Sequence, residues 1–376
     1  MKLCVFPNDP IIEYYKKGEI KERYFNPDNL FDEIHIISFS NDEINESEVQ
    51  KIAGNAKIKI YAVGKISLKN RSKYLEKIIA LVKKINPDII RSFNPLLQGW
   101  FAAKCANKLN IPFFLSLHTQ YDQNRSIAKK SNLKKFLGLK YTEKFIEPYV
   151  LKHADKITIV YKIIEPYVLK HGGEKPELLY NKVNCEQFTN SSIIKSLDKP
   201  LIISVGQLIE AKNHMCIINA MKNINAMLLI IGDGILFEKL NNYIKNKKLQ
   251  NKIKIKKSIP HSEIQNYYHT ADIFTLAYDQ KLEGIPIPVI EAMAAGLPIV
   301  IPFPIEGYSD NLENTVIFAE RNSESFSKKI EMILKDSKKS KELSKKSLIK
   351  SKNFDSKIIE SREREIYQEI LLIKRV

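Results

Sequence analysis

The segment Glu283-Gly-Ile-Pro-Ile-Pro-Val-Ile-Glu291, followed by Ala-Met-Ala-Ala-Gly-Leu-Pro298, carries the strongest structural signal in this chain. Its first carboxylate lies in a loop interrupted by glycine and proline, where a backbone can approach a ligand closely. The second is predicted to open a helix that ends at Gly296, because glycine commonly caps helix C-termini. The apolar run 299–301 then predicts a buried strand. We expect both carboxylates to face one cleft beside helix-end N–H groups, which favour anions. The alternative is a buried corner with solvated carboxylates.

Length and composition predict a globular protein of two domains. The chain has 376 residues, which is long for one domain, and 44% of them are apolar. Its longest apolar runs, such as 227–231, are far shorter than a membrane span. The N-terminus predicts a first strand instead of a signal peptide, so we expect a cytoplasmic protein. The four cysteines are scattered without a Cys-x-x-Cys pair, which argues against a zinc site and a disulfide framework.

The strongly basic charge leaves two interpretations open. The net charge is +17, from 60 basic and 43 acidic residues, and only eight of the basic residues are arginines. One interpretation is the lysine-rich codon usage of an AT-rich genome. The other is attraction to an anionic surface, either a membrane or a nucleic acid. Because proteins that bind nucleic acids depend on arginine for base edges and phosphates, no nucleic-acid partner is expected.

Short Ile/Val-rich runs alternate with longer amphipathic segments along the whole chain. This βαβ rhythm occurs twice and predicts an α/β protein with two doubly wound parallel sheets, each in a Rossmann-like domain. The candidate strands are 2–6, 35–39, 58–63, 88–91, 113–117, 157–160, 201–205, 227–231, 253–255, 273–276, 298–301 and 316–319. A polar segment predicts a linker at 187–199 between an N-terminal domain, 1–186, and a C-terminal domain, 200–355.

The Glu-x7-Glu spacing of Glu283 and Glu291, with the Glu-Ala-Met-Ala-x-Gly-x-Pro run that starts at Glu291, resembles the retaining, nucleotide-sugar-dependent glycosyltransferases of family 4. The resemblance implies the GT-B fold, with two Rossmann-like domains facing across a cleft and a C-terminal helix, 356–376, that crosses back to the first domain. It also implies a hexosyltransferase that uses a UDP- or GDP-sugar and a glycan or lipid-linked acceptor, with retention. Such an enzyme would serve cell-surface polysaccharide or glycoconjugate synthesis.

Within the lead segment, the resemblance assigns Glu283 to the sugar hydroxyls and Glu291 to the ribose hydroxyls of the donor. Gly284 and Ile285 are expected to line the same donor site. The family usually has Glu-Gly-Phe-Gly-x-Pro, whereas this chain has Pro286 in place of the second glycine. Proline removes a backbone N–H that could otherwise reach the donor.

Three further segments complete the expected donor site. Gly206 follows a strand and Lys212 precedes a predicted helix, as in the family's Gly-Arg-Leu…Lys segment, which holds the donor diphosphate. A solvated helix-start lysine is the alternative for Lys212, and the arginine position is the uncharged Gln207. Asp233, in a Gly-Asp-Gly turn, is either a turn residue or a ligand group. His261 lies where the family's base-binding loop falls, so we expect backbone contacts to the base there.

In the first half of the chain, His118 ends a strand and enters a polar loop, at the sheet edge where open α/β folds bind ligands. It resembles the family's loop histidine, which faces the transferred sugar, and it is therefore assigned with Glu283 as catalytic. A structural histidine is the alternative. The family's glycine-rich first loop is absent, because residues 6–10 contain no glycine.

The carboxylates bear on metal binding, and one lysine-rich segment bears on membrane binding. The sequence has no Asp-x-Asp pair and no evident Cys/His/Asp cluster, so neither a metal ion nor a cofactor beyond the nucleotide-sugar co-substrate is expected. The segment 127–151 mixes lysines with leucine and aromatic residues. At helical spacing it predicts either a basic amphipathic surface for an anionic membrane or a core-facing helix with a solvated lysine face. In the first case the protein would be peripheral on the inner face of the cell membrane.

Two departures from the family pattern motivate a different class of function. Gln207 and Pro286 are compatible with a catalytically weak GT-B protein that binds nucleotide sugar or a partner enzyme. A GT-B sugar-nucleotide epimerase is a third hypothesis, which the lead segment favours less than a transferase.

Overall fold

The computed structural model describes residues 1–189, 200–257 and 259–373 of the chain. The chain divides into two compact units. The first comprises Met1–Tyr180 and the C-terminal stretch from Ile359, and the second comprises Asn181–Ile358. Each unit is built on one parallel β-sheet with helices between the strands, so the predicted α/β class with two Rossmann-like domains is confirmed.

The first unit holds a seven-stranded sheet. Its strands are β1 (Lys2–Phe6), β2 (Glu33–Ser38), β3 (Lys57–Ala62), β4 (Ile89–Ser92), β5 (Phe113–Leu117), β6 (Lys156–Ile159) and β7 (Glu177–Leu178). Its helices are α1 (Ile11–Lys16), α2 (Glu46–Val49), α3 (Arg71–Ile85), α4 (Leu97–Leu109), α5 (Tyr121–Ser131), α6 (Leu133–Phe145), α7 (Glu147–Lys152) and α8 (Glu165–Lys170). The strand order is β3-β2-β1-β4-β5-β6-β7, and every residue of β5 is buried. Burial on both faces explains why the central strands are continuous apolar runs.

The second unit holds a six-stranded sheet. Its strands are β8 (Leu201–Val205), β9 (Met227–Ile231), β10 (Ile253–Lys256), β11 (Ile273–Thr275), β12 (Ile299–Pro302) and β13 (Ile317–Ala319). Its helices are α9 (His214–Ala220), α10 (Phe237–Asn246), α11 (Ile264–Thr270), α12 (Ile287–Ala294), α13 (Ser323–Lys335) and α14 (Ser337–Ser351). The order β10-β9-β8-β11-β12-β13 reverses direction beside β8, and such switch points are where open parallel sheets bind ligands.

The last helix, α15 (Ser356–Ile373), packs on the first unit, as the resemblance implies. Ile366, Tyr367 and Ile370 are buried in the core of that unit. A buried ion pair joins Glu363 to Arg91 of β4. None of the described helices is both long and apolar enough to cross a lipid bilayer.

The second unit begins earlier than the predicted domain boundary. Residues 181–189 belong to it, because Phe188 is fully buried beside Tyr268, with ring centroids 5.7 Å apart. The Gln187 amide also donates to the backbone carbonyl of His261 at 3.0 Å. The rest of the predicted linker, 190–199, lies outside the described residues. The boundary differs from the predicted one because residues 181–189 make these contacts with the second unit, and the composition of a polar segment does not reveal its contacts.

Helix α12 also begins earlier than predicted. It starts at Ile287, with Pro286 at its N-cap and Pro288 in its first turn. Proline fits this turn because its missing N–H has no intrahelical acceptor there. Glu291 therefore lies in the second turn, and the prediction that it opens the helix was wrong. The two prolines favour a loop when only the sequence is considered.

Candidate functional site

At the carboxyl edge of the second sheet, the turn after β8 presses against the turn after β9. A Cβ atom on Gly232 would lie 1.9 Å from the Gly206 carbonyl oxygen, and one on Gly234 would lie 2.7 Å from the Leu208 oxygen. The backbone N–H of Leu208 donates to the Asp233 carbonyl at 2.9 Å. Positions 232 and 234 therefore need glycine for the backbones of the two turns to touch, in addition to any close approach of a ligand.

Lys212 and Glu283 come together in this unit. Lys212 Nζ donates to Glu283 Oε2 at 2.5 Å, and Lys212 is 8% exposed. The Lys212 loop is held to the Glu283 loop, because the Asp279 N–H donates to the Ala211 carbonyl at 2.7 Å. Lys212 is therefore a buried, paired lysine and not a solvated one. A buried ion pair needs further polar partners to offset its desolvation, and a diphosphate beside Lys212 would be one such partner.

Glu291, the second glutamate of the lead segment, is held by a hydroxyl and an imidazole. Glu291 is 4% exposed, and its Oε2 accepts a hydrogen bond from the Tyr268 hydroxyl at 2.9 Å. Its Oε1 lies 2.9 Å from His261 Nε2, whose side chain is 43% exposed. Burial, and then the Glu291 charge, raise the pKa of Tyr268 well above its usual range, so its hydroxyl stays a donor. The structure thus gives the His261 imidazole a role on Glu291, and the predicted backbone contacts of this loop to the base stay a prediction.

The remaining predicted donor residues lie on the same loops with different roles. Gln207 and Asp233 are exposed, and Asp233 Oδ1 accepts the N–H of Gly234 at 2.8 Å, as a turn residue does. The Gly284 carbonyl accepts the Tyr278 hydroxyl at 2.7 Å, while Ile285 is buried. These contacts shape the loops, and they leave Gln207 facing solvent.

His214 was missed by the sequence analysis. It opens α9, is 1% exposed, and its Nδ1 lies 3.2 Å from Ser204 Oγ at the end of β8. Its imidazole also lies against the backbone of Gly206 and Gln207, while its buried Nε2 has no hydrogen-bond partner among the described residues. Burial, and then the Lys212 charge, lower the pKa of His214 to about 4. Only its position after Lys212 could have drawn attention to it.

In the first unit, His118 lies just past β5 with its Nε2 shielded from solvent and without a hydrogen-bond partner among the described residues. Its ring centroid is 5.5 Å from that of Phe93. Burial, and then the Arg91 charge, lower the pKa of His118 to about 3, so the imidazole is neutral near pH 7. A shielded, neutral nitrogen at a sheet edge can donate to or accept from a ligand oxygen.

Arg91 was also missed. Its guanidinium carbon lies 4.4 Å from the Phe93 ring centroid, on the ring that also contacts His118. Arg91 pairs with Glu363 and donates to the Tyr367 hydroxyl at 2.7 Å and to Ser116 Oγ at 3.0 Å. The last helix therefore holds the charge next to the predicted catalytic histidine. No local pattern in the sequence could show a pair whose members are 272 residues apart.

One group with metal-ligand chemistry lies away from these loops. Asp122, Glu143 and His171 each place a ligand atom within 4.8 Å of the others. Asp122 is already paired with Arg125 at 2.5 Å and with Lys170 at 3.1 Å. Two cations beside the carboxylate oppose a divalent ion, so we assign no ion to this group.

Comparison with known proteins identifies the fold and the family. The chain resembles the structure of Anabaena HepE in complex with UDP, with a TM-score of 0.74 and 13% identity over 98% of this chain and 100% of that one. This places the fold in the GT-B class. The profile of glycosyl transferases group 1 matches residues 187–348, and that of Glycosyltransferase Family 4 matches residues 30–187. The chain belongs to glycosyltransferase family 4.

Curated relatives agree with this assignment. An uncharacterized glycosyltransferase of Methanocaldococcus jannaschii is 24% identical over 290 residues, which are 75% of this chain and 76% of that protein. The alpha-monoglucosyldiacylglycerol synthase of Acholeplasma laidlawii is 22% identical over 274 residues, covering 65% of this chain and 66% of that enzyme. The protein is therefore a glycosyltransferase.

Proposed function

We propose that the protein is a metal-independent, retaining hexosyltransferase that moves a sugar from a UDP- or GDP-sugar to a glycan or lipid-linked acceptor. The pairing of Lys212 with Glu283, beside the glycine turns of β8 and β9, carries this proposal. It brings a cation for the diphosphate within contact of a carboxylate for the sugar hydroxyls. The Lys212 side chain is 11% exposed and that of Glu283 is 23% exposed, and electrostatic interactions are stronger in such partly shielded surroundings than in bulk water.

Each predicted residue has a proposed role. Glu291, already held by Tyr268 and His261, accepts the ribose hydroxyls, which are donors. His118 faces the transferred sugar as a neutral hydrogen-bonding group. The bond from the sugar's anomeric carbon to the diphosphate breaks while the acceptor oxygen bonds to that carbon from the same face. The departing diphosphate takes the acceptor's proton, so no protein nucleophile is needed.

The acceptor and the setting are proposed from the relatives and from charge. The Acholeplasma laidlawii relative is named as a synthase of a glucosylated diacylglycerol, and a Campylobacter jejuni relative, 26% identical over 189 residues, is named as acting on a diphospho-undecaprenol acceptor. We therefore place this protein at the cytoplasmic face of the membrane, in glycoconjugate or polysaccharide synthesis. The net charge of +17 supports attraction to an anionic membrane.

A catalytically weak, nucleotide-sugar-binding protein is the second candidate. Gln207 brings no charge, and the one buried lysine described on these loops is already neutralised by Glu283. These loops would then attract the diphosphate of a donor only weakly. Such a protein would bind donor without transfer.

A screen of UDP- and GDP-sugars tests both candidates. We expect one donor to raise the melting temperature and to be hydrolysed slowly without acceptor, and Glu283→Gln to abolish hydrolysis. Thermal stabilisation without any turnover would favour the binding protein, and neither effect with any donor would overturn both. A chelator should leave turnover unchanged, and the coupling of the product's anomeric proton in NMR should report retention.

A further inference from the structure

Helix α6 carries a row of apolar side chains that face solvent. Leu133, Leu137, Tyr141 and Phe145, here called the α6 ridge, are 66%, 60%, 38% and 55% exposed. A spacing of four residues places them along one side of the helix. One of the two alternatives for this segment was a core-facing helix with a solvated lysine face. Helix α6 does not fit that alternative, because its apolar side chains face solvent. Contiguous exposed apolar surface of this kind marks an interaction site.

The ridge is preformed, because contacts at the start of α6 and along its length hold the helix in place. Asn132 caps the helix by accepting the Lys135 N–H at 2.9 Å. The buried Thr142 hydroxyl donates to Glu147 at 2.7 Å. From α3, Arg71 donates to the Tyr141 hydroxyl at 2.6 Å. A docking partner would not have to fold this helix first, which keeps the entropic cost of binding low.

The exposed charges around the ridge are mainly positive. All lysines of α5 and α6 are exposed: Lys129, Lys130, Lys134, Lys135, Lys140 and Lys144. Glu147 is fully buried beside Arg125 at 2.8 Å, and Asp122 pairs with Arg125 at 2.5 Å. Glu143, which lies 3.6 Å from Arg125, also pairs with Lys140 of the same helix. The exposed charges that surround the ridge are therefore mostly positive.

A second lysine-rich helix shows that this pattern is not general to the chain. In α14, Lys339 and Lys346 pair with Glu342 at 3.5 and 2.6 Å, as Lys140 does with Glu143 in α6, so the two helices differ in their apolar residues. Its exposed apolar residues, Leu348 and Ile349, are consecutive, so they point in different directions instead of forming a row. Basic composition by itself does not produce a ridge.

We propose that the α6 ridge docks into the interface of an anionic lipid bilayer, with α6 lying in the membrane plane and its lysines at the headgroups. Leucine and aromatic side chains bordered by lysines match the apolar and anionic layers of such an interface. A nucleic acid would offer no apolar layer to the leucines. This goes beyond the proposed transferase activity, and it needs neither donor nor acceptor.

Vesicle sedimentation tests the docking without any substrate. Wild-type protein should bind phosphatidylcholine vesicles that contain phosphatidylglycerol, release at high salt, and bind pure phosphatidylcholine poorly. Leu133→Asn with Leu137→Asn, and separately Lys134→Glu with Lys135→Glu, should each lower binding by roughly tenfold or more. The changed side chains are exposed, so melting temperatures should stay unchanged.

Matched variants on α14 serve as controls. Lys341→Glu with Lys345→Glu makes the same change in net charge, and Ile349→Asn removes an equally exposed apolar side chain. Both should bind vesicles as the wild type does. Equal losses in the α14 variants would overturn the proposal in favour of bulk charge. Failure of the wild type to bind, or a dimer that Leu133→Asn with Leu137→Asn dissolves, would overturn it as well.

Discussion

The two sheets have the same winding around their switch points but different chemistry at their carboxyl edges. The order β2-β1-β4-β5 in the first unit is repeated as β9-β8-β11-β12 in the second. In the second unit, the turns after β8 and β9 meet through glycines. In the first unit, the loop after β1 has no glycine and is held by amides, since Asn94 and Gln98 donate to Asn8 at 3.0 and 2.9 Å. Topology therefore places a site, and the residues at the edge decide what it binds.

The charges at the two edges differ in the same way. The second unit pairs Lys212 directly with Glu283. In the first unit, the buried cation Arg91 pairs with Glu363 of α15, and His118 is neutral because burial and the Arg91 charge lower its pKa. Under the proposed function, the edge of the second unit would bind the diphosphate and the edge of the first unit would face the uncharged sugar. Four predictions examine this contrast.

The largest effect is expected from Lys212→Ala. Removing the buried cation takes away the support of the departing diphosphate and leaves Glu283 unpaired, so kcat/KM should fall by about 100- to 1000-fold. Initial rates with the donor found in the screen measure it. Lys239→Ala is the control, because the Lys239 side chain is 65% exposed and pairs with Glu210 at 3.6 Å, on the surface. A fall no larger than in the control would remove Lys212 from the diphosphate site.

Glu291→Ala should weaken donor binding by about 1.5–3 kcal/mol, because a carboxylate that accepts ribose hydroxyls is lost. Tyr268→Phe removes one hydrogen bond to the Glu291 carboxylate and should weaken the same binding by about 0.5–1.5 kcal/mol. Calorimetry with UDP and GDP measures both. If affinity is unchanged in a folded Glu291→Ala protein, the ribose is held elsewhere.

The neutral histidines predict a loss of stability in acid. His118 and His214 have pKa values lowered to about 3 and about 4, whereas the unfolded chain titrates near 6.5. The unfolded state therefore binds more protons between these values, and stability rises with pH through that window. His118→Gln and His214→Asn should each flatten the rise by about 1–2 kcal/mol, as urea unfolding between pH 5 and 7 would show. An unaltered slope in both variants would mean that the imidazoles are solvated.

The smallest effect is expected from Gln207→Arg. An arginine there would add a charged fork to the loop beside Lys212 and should tighten nucleoside diphosphate binding by about 3- to 10-fold. The gain in affinity is limited because position 207 is exposed, where solvent and ions screen the charge. The gain should therefore shrink when salt is added. Calorimetry at two salt concentrations would show it. No gain at low salt would place the diphosphate away from this loop.

Much of the architecture follows from local patterns. Each predicted strand is present, with ends shifted by at most two residues, because buried runs such as 113–117 contrast sharply with their polar flanks. The two-residue strand β7 was missed, since so short a pairing has no period of its own. The earlier start of α12 was missed because Pro286 and Pro288 also fit a first helical turn.

By itself, the sequence determined the α/β class, the two sheets, the last helix and the segments that carry Glu283, Glu291, Lys212 and His118, because periodicity and motif spacing are properties of neighbouring residues. Only the tertiary structure decided what these residues touch. Lys212 and Glu283 are 71 residues apart, and Tyr268 reaches Glu291 from another helix. Whether a lysine is buried and paired, or a leucine of α6 is exposed, depends on which elements pack against it, and that arrangement is set by the whole fold.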